Sequence, residues 1–174
     1  MPKVNANNIT IEYEVIGDGF PIIFLHGSGV SWRCWSPQIP VFSPHYQMVM
    51  PNMCGHGESS PLPRTNNYHE LMADDPKLFM DSLGINRAHV IGLSMGAVVA
   101  LRFAIKYPNY VGKLVSVCGY IEHISNAKIT IFNGGFDPLS TERQEIHDEM
   151  ILDFLANRPI KQYPKVMFTE HELI

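Results

Sequence analysis

The pentapeptide Gly92-Leu93-Ser94-Met95-Gly96 constrains the fold of this chain more than any other feature. An apolar run typical of a buried strand precedes it, and small residues typical of a helix packed on a sheet follow it. Glycine at both ends removes side chains that would clash with neighbouring backbone in a tight strand-to-helix turn. Such a turn directs the serine hydroxyl out of the sheet, and the helix N-terminus behind it stabilises developing negative charge. The motif therefore predicts a serine nucleophile on an α/β sheet.

Apolar runs and turn signals alternate along the rest of the chain, as is typical of an α/β protein. The predicted strands are residues 9–16, 21–25, 47–50, 88–93, 113–118, 128–132 and 165–168. The predicted helices are residues 75–83, 95–107 and 141–157. Because no internal repeat or interdomain linker interrupts this order, the sequence predicts a single domain over residues 1–174.

The composition argues against several classes of function. A net charge of −4 provides no basic surface for nucleic acid or for an anionic membrane. Three scattered cysteines are too few for a disulfide framework or a zinc site. The amino terminus has no apolar signal core, and no run approaches 18 apolar residues. The sequence thus predicts a cytoplasmic protein without a metal, nucleic-acid partner or membrane partner.

Taken together, these segments resemble the α/β-hydrolase fold superfamily, in particular its cofactor-free esterase, lactonase and perhydrolase-like group. The matching motifs are His26-Gly27-Ser28-Gly29, Gly55-His56-Gly57-Glu58-Ser59, the pentapeptide at 92–96, Tyr107-Pro108 and Gly134-Gly135-Phe136-Asp137-Pro138. The resemblance is close over residues 8–120 and returns around residues 128–139. It implies a mostly parallel sheet flanked by helices, a small-molecule ester as substrate, and no cofactor.

The resemblance also implies roles for individual residues. Ser94 corresponds to the nucleophile, and the backbone N–H groups of Ser28 and Met95 correspond to the oxyanion hole. Asp137 corresponds to the carboxylate that orients the base, although an aspartate there also suits the N-cap of the helix predicted to follow. Glu122 is the second candidate for that carboxylate.

The histidine base is the least determined member of the expected triad. The family's chain order places it in the loop after the last strand, which favours His171 if residues 165–168 form that strand. Glu170 stands where a glycine usually precedes this histidine, and His123 offers an alternative base from the shortened connection. A chain without a working base would instead be a non-catalytic binding protein.

Two departures from the family pattern shape the remaining expectations. Asn52 and Cys54 replace an Asp and an Arg, so an ion pair that orders this loop in relatives is missing. A short connection at 120–127 stands where relatives place a cap and a helix. We therefore expect a cap-reduced hydrolase that acts on esters or lactones through an acyl-enzyme. Because the deletion would leave apolar strands uncovered, we also expect a homodimer or larger homo-oligomer.

Overall fold

The computed structural model describes residues 1–62, 72–117, 128–132, 141–158 and 168–172. Within these ranges the strands are β1 (Lys3–Ala6), β2 (Ile9–Ile16), β3 (Pro21–Leu25), β4 (Gln47–Pro51), β5 (Ala88–Leu93), β6 (Val111–Val117), β7 (Lys128–Phe132) and β8 (Phe168–Glu172). The helices are α1 (Ile39–Phe42), α2 (Asp75–Ser82), α3 (Met95–Lys106) and α4 (Thr141–Leu155), with 3₁₀ helices at Trp32–Gln38 and Pro108–Tyr110.

The strands form one sheet in the order β1-β2-β4-β3-β5-β6-β7-β8. The five strands from β4 to β7 in this order run parallel, while β1 and β2 at one edge and β8 at the other run antiparallel to their neighbours. This confirms the predicted mostly parallel sheet flanked by helices. Because parallel strands share their carboxyl ends at one edge, the segments that follow β3, β4 and β5 meet there.

Helices cover both faces of the sheet. On one face α2 and α3 contribute Phe79 and Phe103 to an apolar cluster with β3, β5 and β6. On the other face the first 3₁₀ helix and α4 contribute Trp35 and Met150 to a second cluster. Each face of β6 is therefore buried, contrary to the expectation that the shortened connection leaves this strand bare.

The boundaries predicted from sequence are accurate near the pentapeptide and poor at the sheet edges. Strand β1 was not expected, and it pairs with β2 through a turn in which Asn7 and Asn8 both have positive φ, as a type I′ hairpin requires. The last strand was expected at 165–168, whereas the structure places it at Phe168–Glu172, antiparallel to β7. The expected strands at 113–118 and 128–132 do pair in parallel, and their connection lies outside the described residues.

Candidate active site

Ser94 occupies the sharp turn between β5 and α3. Its φ of 52° and ψ of −112° lie in a region that non-glycine residues rarely adopt. The backbone N–H of Ser94 donates to the Val117 carbonyl at 2.8 Å, which fixes the turn against β6. A serine at a helix N-cap usually accepts a hydrogen bond from its own helix, but the Ser94 side chain makes no such bond. The side chain is also exposed, so its hydroxyl is presented to solvent rather than used for capping.

The two glycines of the pentapeptide allow this turn to pack. A Cβ on Gly92 would lie 2.4 Å from the Gly96 carbonyl oxygen, and a Cβ on Gly96 would lie 2.2 Å from the Leu25 carbonyl oxygen. Real side chains do not approach backbone this closely, so each position admits only glycine without displacement of the chain. The steric role expected from the sequence is present in the structure.

The segment after β3, residues 26–31, lies beside the serine, and we call it the oxyanion loop. A Cβ on Gly27 would lie 3.6 Å from the Ser94 Cβ, which shows how closely the loop backbone approaches the hydroxyl. Ser28 and Met95 line one open groove of about 670 Å³. The N–H groups at a helix start have no partner within the helix, so Met95 is suited to bind an anion there. The structure thus brings together three of the predicted site residues.

Two histidines link the oxyanion loop to the segment after β4, residues 52–59, which we call the β4 loop. His26 is fully buried, and its Nε2 accepts a hydrogen bond from the Met53 N–H at 3.0 Å. Its Nδ1–H therefore donates to the Gly27 carbonyl at 2.7 Å. Burial lowers the pKa of His26 to about 4, so the ring is neutral and structural at pH 7.

His56 lies on the groove side of His26, and the two ring centroids are 4.7 Å apart in an edge-on arrangement. Its Nε2 accepts a hydrogen bond from the Gly29 N–H at 3.2 Å, so its Nδ1–H donates to the Cys54 carbonyl at 3.2 Å. The sequence indicated only a loop position for this residue. Its bond to Gly29 between the two loops and its bond to Cys54 within the β4 loop were not predicted.

Comparison with known proteins decides the family of this site. The family model for the alpha/beta hydrolase fold matches residues 21–158, which include the oxyanion loop, the β4 loop and the serine turn. The chain belongs to the alpha/beta hydrolase fold family. The resemblance inferred from the motifs is therefore confirmed.

The similar alpha/beta hydrolases catalyse different reactions. The 2-hydroxy-6-oxo-6-phenylhexa-2,4-dienoate hydrolase of Comamonas testosteroni is 34% identical over 115 residues, 64% of this chain and 40% of that protein. A thermophilic esterase from Thermogutta terrifontis is 28% identical with a TM-score of 0.63, and the match covers 71% of this chain and 47% of the esterase. An epoxide hydrolase, CorEH, is 26% identical with a TM-score of 0.65, and the match covers 83% of this chain and 49% of CorEH. The chain thus spans about two fifths to one half of these hydrolases.

In the β4 loop, hydrogen bonds of Asn52 provide a link between segments in the absence of the Asp–Arg ion pair expected from the family pattern. Asn52 is buried, and its Nδ2 donates to Glu12 Oε2 at 2.6 Å while its Oδ1 accepts from the Trp32 N–H at 2.8 Å. Glu12 Oε2 also accepts from the Glu58 N–H at 2.9 Å. An amide can donate and accept at once, so Asn52 joins strand β2, the β4 loop and the start of the first 3₁₀ helix without a cation. Glu12 and Glu14 both stand at polar positions of the β2 alternation, so the sequence did not single out Glu12.

Cys54 does not have the environment of a reactive thiol. It is buried, and burial together with Asp75 raises the pKa of Cys54 to about 12. A thiol with so high a pKa carries almost no nucleophilic thiolate at pH 7. Cys54 is therefore not a candidate nucleophile.

Three predicted site residues, Asp137, Glu122 and His123, lie outside the described residues. The backbone of His171 is described, and it lies inside β8 rather than in a loop after the last strand. In this sheet Phe168 lies opposite Phe132 and His171 lies opposite Ile129, three residues away from the carboxyl edge. The location expected for His171 was therefore wrong. Its role as the base remains a prediction.

The register also gives the scale of the separation between His171 and the serine. Three strand spacings of about 4.8 Å and three residues of about 3.4 Å place the His171 backbone roughly 17 Å from the end of β5. This distance exceeds the reach of a histidine side chain. Within one chain, the register described here does not bring His171 to Ser94.

The helices of the described ranges are also too short or too polar for a membrane span.

Proposed function

We propose that this chain is a serine hydrolase that cleaves carboxylic esters or lactones through an acyl-enzyme. The observation that carries the proposal is the geometry of Ser94. Its hydroxyl is exposed at a helix N-terminus, in a strained conformation, and makes no bond to its own helix. Backbone strain of this kind costs roughly 1–3 kcal/mol and persists where function requires it. A carboxylic ester is the simplest substrate for a hydroxyl placed in this way.

In the proposed reaction the Ser94 Oγ attacks the carbonyl carbon, and its proton passes to a histidine. The resulting oxyanion accepts hydrogen bonds from the Ser28 and Met95 N–H groups, which lowers the barrier by several kcal/mol. The alcohol leaves with the proton from the histidine, and water activated by the same base then releases the acid. Asp137, or alternatively Glu122, orients the base, for which His171 and His123 are the candidates.

The groove favours small uncharged substrates. The described residues that line it include no Asp, Glu, Lys or Arg, so a charged group on the substrate would find no oppositely charged Asp, Glu, Lys or Arg among them. Val30 and Leu62 are 44% and 38% exposed along the groove and offer an apolar surface for an acyl chain. Since an open groove excludes little water, we expect short soluble esters to bind with a high KM.

One observation favours a second candidate function, a binding protein that keeps the groove without catalysis. The β8 register separates His171 from the end of β5 by roughly 17 Å within one chain. If His123 does not replace it, the serine lacks a base. An exchange of carboxyl-terminal segments that keeps this register keeps the same separation. His171 serves as the base only if its segment pairs differently, for example in the expected homodimer, whose activity would then fall on dilution.

Turnover of p-nitrophenyl acetate by the wild type, Ser94→Ala and the control Ser36→Ala separates the two functions. Ser36 is exposed on the first 3₁₀ helix, away from the groove residues. The proposal predicts a loss of at least a thousandfold for Ser94→Ala and no change for the control. Equal rates for the wild type and Ser94→Ala would establish the binding protein instead.

The histidine variants identify the base. If His171 is the base, His171→Ala abolishes turnover, with His147→Ala unchanged as a helix control. An inactive His123→Ala beside an active His171→Ala would instead assign the base to the shortened connection.

A further inference from the structure

Among the described residues, the outer part of the oxyanion loop, Gly29 and Val30, has little packing around it. Gly29 has a φ of 73°, and a Cβ there would meet nothing within 4 Å. The neighbouring Val30 is 44% exposed, so apolar packing does little to hold this part of the loop. Two hydrogen bonds to histidine side chains, His26 within the loop and His56 of the β4 loop, therefore restrain the backbone around Ser28.

These hydrogen bonds lie on both sides of Ser28. On one side the Gly27 carbonyl accepts from buried His26. On the other side the Gly29 N–H donates to His56 Nε2. The Gly27 carbonyl and the Ser28 N–H share one peptide plane, which the His26 bond holds directly. The His56 bond holds the next plane, between Ser28 and Gly29, and so limits the backbone rotation at Ser28 that would tilt its N–H. His56 therefore provides the restraint on the groove side of Ser28.

The β4 loop holds His56 rigidly enough to act in this way. Gly55 and Gly57 have φ values of 83° and 54°, and they form the turn that presents the imidazole. A Cβ on Gly57 would lie 2.2 Å from Asn52 Nδ2, so this turn packs directly on the buried Asn52–Glu12 pair. The imidazole also packs edge-on against His26.

We propose that His56 is a positioning residue that aligns the Ser28 N–H in the oxyanion hole, through its hydrogen bond to Gly29. The proposal rests on the proposed hydrolase function for its kinetic consequence but not for its structural one. His56 does not touch the reacting atoms and takes no part in proton transfer. Loss of its acceptor weakens binding of the oxyanion formed in the transition state more than binding of the neutral substrate.

Two substitutions separate the hydrogen bond from the packing of the ring. His56→Phe retains an aromatic ring against His26 and removes both hydrogen bonds, whereas His56→Gln retains an acceptor and a donor. Exposed His45 provides the control, as His45→Phe and His45→Gln. Because the Gly29 bond lies at the groove surface, water competes for it, and the effect is smaller than that of deleting a donor.

The kinetic test measures kcat and KM for p-nitrophenyl acetate. We expect His56→Phe to lower kcat about tenfold with KM changed less than twofold, His56→Gln to recover most of the loss, and the His45 variants to match the wild type. Unchanged kcat in His56→Phe would overturn the positioning role. An equal loss in His56→Gln and His56→Phe would overturn it as well.

Amide hydrogen exchange at Gly29 tests the same bond without catalysis. We expect exchange to be at least fivefold faster in His56→Phe than in the wild type, and near the wild-type rate in His56→Gln. If Ser94 proves inactive while Gly29 exchange responds in this way, the hydrolase proposal fails and the structural restraint stands. Unchanged exchange in His56→Phe would overturn the restraint whatever the activity.

Discussion

The nucleophile region, residues 1–117, and the carboxyl-terminal region, residues 128–172, satisfy their buried polar groups differently. In the first, buried Asn52 has bonds of 2.6 Å and 2.8 Å, and buried His26 has bonds of 2.7 Å and 3.0 Å. In the second, the α4 carboxylate of Asp148 is 4% exposed, and its two oxygens lie 3.3 Å from Gln38 Nε2. Burial raises the pKa of Asp148 to about 7.

This contrast shows where specific polar contacts are concentrated. Around the serine, bonds to the backbone give buried Asn52 and His26 a defined position, which the proposed oxyanion site requires. Between α4 and the first 3₁₀ helix, apolar burial of Trp35 and Met150 dominates, and a carboxylate is enclosed with one amide. The first region is organised for chemistry and the second for coverage of the sheet.

The largest effect is expected where the serine turn packs. Gly96→Ala places a Cβ against the Leu25 and His26 carbonyl oxygens, so it should lower the free energy of unfolding by about 4 kcal/mol or more. Gly84→Ala is the control, because Gly84 has a φ of 69° with nothing within 4 Å and should lose only about 1 kcal/mol. Urea denaturation of both variants measures the difference. Equal losses would mean that the turn tolerates a side chain.

The carboxyl-terminal region should gain stability when its buried charge is removed. Because the folded pKa of Asp148 is raised above its unfolded value, its ionisation lowers the free energy of unfolding as pH rises from about 4 to about 7. Asp148→Asn should therefore be more stable than the wild type by about 3 kcal/mol at pH 8, with the two converging near pH 4. A destabilised Asp148→Asn at pH 8 would show that the carboxylate is satisfied in the fold.

Lowering the pH should destabilise the nucleophile region, whereas it removes the destabilising charge of Asp148. The folded pKa of buried His26 is lowered to about 4. Its contribution to the free energy of unfolding is therefore complete above pH 6.5 and is lost as pH falls from 6.5 to 4. The pKa of His89 is lowered to about 4 as well, chiefly by burial, so its protonation also lowers the free energy of unfolding. In the Asp148→Asn background, the free energy of unfolding should fall by about 2 kcal/mol or more as the pH is lowered over this window. A flat profile in that background would contradict the burial of neutral histidines.

The smallest effect is expected in the link between Asn52 and Glu12. Asn52→Asp replaces a donor with a second carboxylate beside Glu12 Oε2 and should cost about 1.5 kcal/mol at pH 8. Glu12→Gln in the same chain supplies a donor to the new aspartate, so the double variant should recover most of this loss. Thermal or urea denaturation of the two single variants and the double variant gives the coupling. Additive losses would mean that the two side chains do not interact.

The sequence predicted the centre of this fold better than its edges, for physical reasons. The turn at Ser94 is determined by local sterics, since glycines four residues apart decide whether β5 and α3 can meet. The position of β8 depends instead on pairing with β7, a strand far away in sequence, so a short apolar run could not fix its bounds or direction. The prediction that His171 lies in a loop after the last strand was wrong for this reason.

The same division holds within the site. Ser94, Ser28 and Met95 were predicted from motifs whose spacing determines the backbone turns that bring them together. The Asn52–Glu12 bond joins residues 40 positions apart, and the His56–Gly29 bond joins residues 27 apart. Such pairs become visible only when the sheet brings the loops together. The absence of the Asp–Arg ion pair from the sequence therefore did not predict the Asn52–Glu12 hydrogen bond that orders this loop in the structure.

Labelling with a fluorophosphonate probe, followed by peptide mapping, tests most directly whether Ser94 is an activated nucleophile. The reaction requires both a base-activated hydroxyl and a formed oxyanion hole. We expect stoichiometric labelling of Ser94 in the folded protein, and none in Ser94→Ala or after denaturation. A folded chain whose Ser94 stays unlabelled would contradict the hydrolase function and leave a binding protein with an inert serine turn.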